Sequence, residues 1–221
     1  MDTEAFREAV ETDARTELDR LGSNKLLLAL TGAQLDEASV LSAAADAEAS
    51  ARDLFEAWAD DEPNEEAREA FAAVAEREAD HLERVREASP AAEDAENGEA
   101  SDAAAEPTRS AMHSSLRDRE GTVERVAAGM VGRPLVSLRT HTQLVSFFVN
   151  EADAARADLF RDLKTDVEEC LETGLDLLAD LCDDEDAAER ARAAAAETVE
   201  AAYEDYETAL SGMGMDPKPI C

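Results

Sequence analysis

Proline and glycine are scarce in this chain of 221 residues, at 6 and 9, and aromatic residues make up only 4% of it. Strand folds need frequent turn residues with β-branched or aromatic runs between them, so this alanine-rich composition leaves a nearly all-α fold as the expectation. Lysine is almost absent, and 21 basic residues stand against 54 acidic ones, a formal net charge of −33. Without a Lys/Arg cluster to displace phosphate counterions, nucleic acid is excluded as a partner. The acidity identifies a solvent more than a partner. It suits the molar intracellular salt of an extreme halophile, where screening removes the self-repulsion of like charges. No signal-peptide core and no apolar run of about 18 residues is present, so the expected location is the cytoplasm, with no membrane partner. Cys170, Cys182 and Cys221 are an odd, widely spaced set without C-x-x-C. That excludes a zinc ribbon or a rubredoxin-type iron site and implies reduced thiols.

What is present is helical periodicity, and in one stretch it carries acids where a core face should be apolar. Between Leu41 and Val85 two patterns are separated by Pro63. Leu41, Ala44, Ala45, Glu48, Ala51, Phe55 and Trp58 recur at spacings of three and four, which puts Glu48 on the apolar stripe. Phe71, Val74, Glu78, His81, Leu82 and Val85 do the same, which puts the i, i+3 pair Glu78 and His81 on the inward face of its helix. Such a pair projects from adjacent turns and can grip one metal ion. A buried carboxylate without a partner is costly, so a metal or His81 is the expected partner of Glu48.

Ferritin-like carboxylate proteins build iron or manganese sites in this way, with a Glu from one helix and Glu-x-x-His from the next, repeated by a second helix pair. Glu48-Ala49-Ser50-Ala51-Arg52, followed by Phe55 and an acidic turn, is similar to the first-ligand segment of the rubrerythrin branch of that superfamily. Glu76-Arg77-Glu78-Ala79-Asp80-His81 is similar to its second, and the resemblance covers about 45 of the 221 residues. It implies a ferritin-like up-down four-helix bundle with extra N-terminal and central helices and no rubredoxin domain. It further implies iron or manganese handling oxygen or peroxide.

Taken in order, residues 1–34 read as an N-terminal addition, with an amphipathic helix over 3–21 and a buried helical turn at 25–30. Residues 35–88 read as the first helix pair, 35–60 and 64–88, with Pro63 in a first-turn position. Residues 89–107 hold six acids, no base and no large apolar side chain, an acidic linker that cannot offset its ordering entropy. An additional helix follows in 108–134, closed by Gly132-Arg133-Pro134. The second helix pair is expected in 135–212: one helix from about His141 to Leu181, long or kinked at Gly174, then 187–211. Residues 213–221 are an extended tail.

Ala51-Arg52-Asp53-Leu54-Phe55 is echoed by Ala155-Arg156-Ala157-Asp158-Leu159-Phe160, which supports two similar pairs. The resemblance then calls for ligands in the second half. Glu151 or Asp153 would correspond to Glu48, and Glu151 is favoured because it falls on the stripe Leu144, Phe148, Ala155, Leu159. Glu200 would correspond to Glu78, but Glu200-Ala201-Ala202-Tyr203 has tyrosine where the pattern wants histidine, while His113 and His141 lie outside that pattern. The candidate metal residues are therefore Glu48, Glu78, His81, Glu151 and Glu200. A dinuclear centre, a single metal, and a metal-free polar network in which Tyr203 bonds a cluster carboxylate all stay open. The second class of function is a metal-free helical interaction or regulatory protein, transcription-associated at the margin. A homodimer stays open, and no other protein partner is identified by the residues.

Overall fold

A computed structural model describes residues 1–89 and 110–218, and the described residues are helical with no strand. The helices are α1 Thr3–Asp13, α2 Arg15–Leu21, α3 Leu26–Leu30, α4 Glu37–Asp61, α5 Glu65–Glu87, α6 Ala111–Arg117, α7 Thr122–Ala127, α8 Arg133–Asn150, α9 Ala154–Leu181 and α10 Glu185–Gly212. Helix starts follow side-chain capping. Asp36, Asn64 and Asp184 each accept the backbone N–H three residues on, at 2.9, 2.9 and 2.8 Å. Pro63 therefore precedes the cap Asn64 rather than sitting inside α5. The linker expected over 89–107 lies, apart from Ser89, outside the described residues. None of the described helices is long and apolar enough to cross a membrane.

Gly132-Arg133-Pro134 does not end a helix. Ala128–Gly132 forms a π turn whose flanking dihedrals stay helical, so α7, the π turn and α8 run as one rod. Pro134 is tolerated in the first turn beyond it, where the widened ladder asks least of its missing N–H. The expected helix from His141 to Leu181 is in fact two helices, broken at 151–153. There Ala152 takes φ 60°, its N–H reaches the Val149 carbonyl at 3.1 Å, and Asp153 N–H reaches that of Phe148 at 2.9 Å. This is a Schellman stop with alanine in the place usually held by glycine. Gly174 is not a kink either. α9 runs through it, and a Cβ there would lie 2.5 Å from the Met130 carbonyl oxygen, so its bareness seats α9 against the π turn. Gly132 does the same on the other side, where a Cβ would lie 2.5 Å from the Ala195 carbonyl oxygen of α10.

Consequently the partner of α9 is α8, not α10. α4 pairs lengthwise with α5, α8 with α9, and α5 meets α9 between the pairs. α10 lies outside, against α7, the π turn and the small helices α1, α2, α3 and α6. Inside, apolar side chains form two clusters. One gathers Phe55, Trp58, Phe71, Met130, Leu135 and Val167, the other Leu41, Val85, Leu144, Phe148, Phe160 and Leu163. Along α4, α5 and α8 the residues between these clusters are Glu48, Glu78 with His81, and His141.

Candidate metal centre

Glu48, Glu78, His81, His141 and Arg133 are all buried, with 6, 2, 0, 4 and 5% of their surfaces exposed. They form a polar layer between the two apolar clusters. One ligand atom each from Glu48, Glu78 and His81 lie within 4.8 Å of one another. His81 Nδ1 stands 3.8 Å from Glu48 Oε2 and 3.9 Å from Glu78 Oε2. Its other nitrogen, Nε2, is 3.0 Å from Asp166 Oδ2 on α9, a carboxylate that can only accept, so Nε2 carries the proton and Nδ1 the lone pair. Asp166 also faces Arg84 at 3.8 Å on the solvent rim.

α8 supplies the rest. Arg133, the first residue beyond the π turn, donates from Nη2 to Glu78 Oε1 at 2.5 Å, and its guanidinium lies 5.3 Å from the Phe55 ring centroid. His141 Nδ1 is 2.8 Å from the Ser137 carbonyl, which makes Nδ1 the N–H and leaves a lone pair on Nε2. That Nε2 faces Glu48 Oε1 at 3.7 Å.

Four buried atoms of this layer, Glu78 Oε2, His81 Nδ1, His141 Nε2 and Arg133 Nε, have no hydrogen-bond partner among the described residues. The first three bear lone pairs when His81 is neutral and Glu78 ionised, as do the Glu48 oxygens that face the two imidazoles, whereas Arg133 Nε is a donor. Burial pushes Glu78 up to about 7, against the pull of Arg133 and with help from the Glu48 charge. Burial would raise Glu48 as well, but His81 and Glu78 turn it to below its ordinary range. Burial would lower His81, and the Glu48 carboxylate reverses that to a rise. Burial pushes His141 down to about 4.

The structure does not bring Glu151 and Glu200 to this cluster. Glu151 is exposed at the C-terminal cap of α8, and Asp153, its alternative, caps α9 by accepting the Arg156 N–H at 3.0 Å. Glu200 is exposed on α10, because that helix lies outside the two inner pairs. For the same reason Tyr203 bonds no carboxylate of the cluster. It donates to Glu207 Oε1 at 2.5 Å and accepts from Arg20 of α2.

Arg133, His141 and Asp166 are the members that sequence reasoning passed over. His141 shares a stripe with Leu144 and Phe148, a signal that was present but sat at the presumed start of a helix. Arg133 was hidden inside an apparent Gly-Arg-Pro stop. No family model matches the chain, and comparisons with curated proteins and with solved structures give no match.

Proposed function

We propose that the chain is a ferritin-like, rubrerythrin-related four-helix bundle whose interior binds iron or manganese through Glu48, Glu78 and His81 and acts on dioxygen or peroxide. The observation that carries this reading is the convergence of buried, unpartnered lone pairs. Inward-facing carboxylate and imidazole atoms are what a divalent cation requires, and the O/N ligand set suits iron or manganese. In the metal-free interaction reading Glu48, Glu78 and His81 pair only by holding protons between them, in line with the rise of Glu78 to about 7 and of His81, and His141 Nε2 stays unpaired at about 1–3 kcal/mol.

The bound metal would supply one-electron redox chemistry. The chain supplies the setting. Asp166 holds His81 in the Nε2–H tautomer, Arg133 fixes one Glu78 oxygen so that the other points inward, and the apolar clusters on either side keep bulk water out. The net charge of −33 supports a cytosol of high salt as the working solvent. Metal analysis of untagged protein purified in high salt tests the reading. Iron or manganese near one equivalent per chain is expected, and protein that stays metal-free after incubation with Fe(II) or Mn(II) sinks it.

A further inference from the structure

We infer that the centre is built for one divalent ion only, with His141 as a fourth ligand and Arg133 as a fixed cation in place of a second metal. The inference rests on the reading above that the cluster binds metal, and it goes beyond the three residues named there by assigning α8 two roles.

His141 has no other use for its Nε2. Ser137 fixes the tautomer from one side at 2.8 Å, and the lone pair left on Nε2 is buried and unpartnered. Its nearest charged neighbour is Glu48 Oε1 at 3.7 Å, another acceptor. Two acceptors cannot hydrogen-bond each other; 3.7 Å is a spacing that two ligands of one ion take. Since His141 lies outside the set of Glu48, Glu78 and His81 atoms within 4.8 Å of one another, its ring or Glu48 must shift to join them on that ion. Atoms about 2.0–2.2 Å from a common metal lie roughly 3–4 Å apart. The 3.8 and 3.9 Å separations from His81 to Glu48 and Glu78 have the same form. Glu48 thus stands between two imidazoles, one oxygen toward each, and four helices converge on it: α4, α5 and α8 with ligands and α9 with Asp166.

Arg133 limits the count. Its guanidinium occupies the outer Glu78 oxygen that a second metal would need, and it is only 5% exposed. The charges agree. With ligands deprotonated, Glu48 and Glu78 against Arg133 leave one negative charge, Asp166 being faced by Arg84 at the rim, so one divalent ion suffices and a second would add two more positive charges inside a dry layer. The π turn is the device that delivers this arginine, because its extra residue per turn rotates the rod just before Arg133.

The test is Co(II) titration of metal-free protein, with pulsed EPR of the Cu(II)-loaded protein to count coordinated imidazoles. Wild type should bind one Co(II) per chain, and its Cu(II) form should show two imidazoles. His141→Phe, a ring accommodated beside Phe160, should show one imidazole and bind Co(II) about tenfold or more weakly. Two Co(II) per chain, or a single imidazole in wild type, overturns the inference while leaving a metal protein. No Co(II) or Cu(II) binding at all overturns the metal reading itself and this inference with it. The wild-type counts decide the matter even where the variant does not fold.

Discussion

Glu62 and Glu78 belong to the same α4–α5 hairpin and are equally hidden, at 3% and 2% exposure, but their surroundings are opposite. Glu62, in the hairpin turn, is ringed by donors: the Asn64 N–H at 3.1 Å and the Thr122 hydroxyl at 2.6 Å on one oxygen, Arg125 at 3.4 Å on the other. It is a finished polar contact that ties the turn to the start of α7. Glu78 has one donor, Arg133, and its second oxygen faces the lone pair of His81. A buried acid is therefore not in itself a sign of a site. What distinguishes the cluster at Glu78 is that buried carboxylate and imidazole atoms face one another without hydrogen-bond partners.

The largest break in this comparison comes from removing the one donor. Arg133→Met should destabilise the metal-free protein by about 3–5 kcal/mol, because it strands a buried charge. Urea unfolding measures it, and a variant as stable as its parent would mean that Glu78 draws nothing from Arg133. Next in size is the metal itself. Mn(II) at a hundredfold excess over its dissociation constant should stabilise wild type and Glu62→Gln by ~2.7 kcal/mol and Glu48→Gln by little. Equal thermal shifts in all three would place the ion elsewhere.

A third imidazole sharpens the contrast between groups held by partners and groups held by burial. His113 on α6 is pushed down to about 4 by burial, with Arg133 adding to the effect. A depressed folded value means that its contribution is fully present above the ordinary value of 6.5 and is lost as pH falls from there toward 4. Relative to His113→Phe, wild type should lose up to about 2 kcal/mol between pH 7 and pH 5. A pH-independent difference between the two proteins would show that His113 stays solvated.

Legibility in the sequence followed the range of the signal. Glu48, Glu78 and His81 stood out because an acid on an apolar stripe is a local contradiction, and the capped starts of α4, α5 and α10 are local chemistry. The break at 151–153 was invisible because an alanine takes the left-handed position that only glycine advertises. The continuity of α7 and α8 was invisible because a π turn has no sequence mark and Pro134 mimics a stop. Those two errors moved the second pair by one helix. With α8 merged into α9 from His141 on and Arg133 read as part of a stop, His141 and Arg133 could not be placed, and Glu200 and Tyr203 were assigned to the site on a helix that packs outside the two inner pairs.

The smallest effect is also the most diagnostic, since it concerns sign. Glutamine keeps the shape of glutamate but exchanges one acceptor for a donor. At Glu62 every neighbour donates, so the new amide N–H₂ must face a donor or give up a bond, and Glu62→Gln should cost about 1 kcal/mol. At Glu48 the neighbours are the lone pairs of His81 and His141, at 3.8 and 3.7 Å. There the amide can approach one of them as a donor, relieve an orphaned acceptor and remove a buried charge. In metal-free protein at a pH above the raised titration of His81, Glu48→Gln should therefore gain about 1 kcal/mol. The same substitution that abolishes the metal's stabilisation would make the empty protein more stable, the behaviour expected of a residue kept for a ligand at the expense of the fold. Urea unfolding of both variants in chelator reads the two signs. Destabilisation of equal size at both positions would mean that Glu48 already has donors around it, and that the centre is a polar contact of the same kind as the hairpin turn.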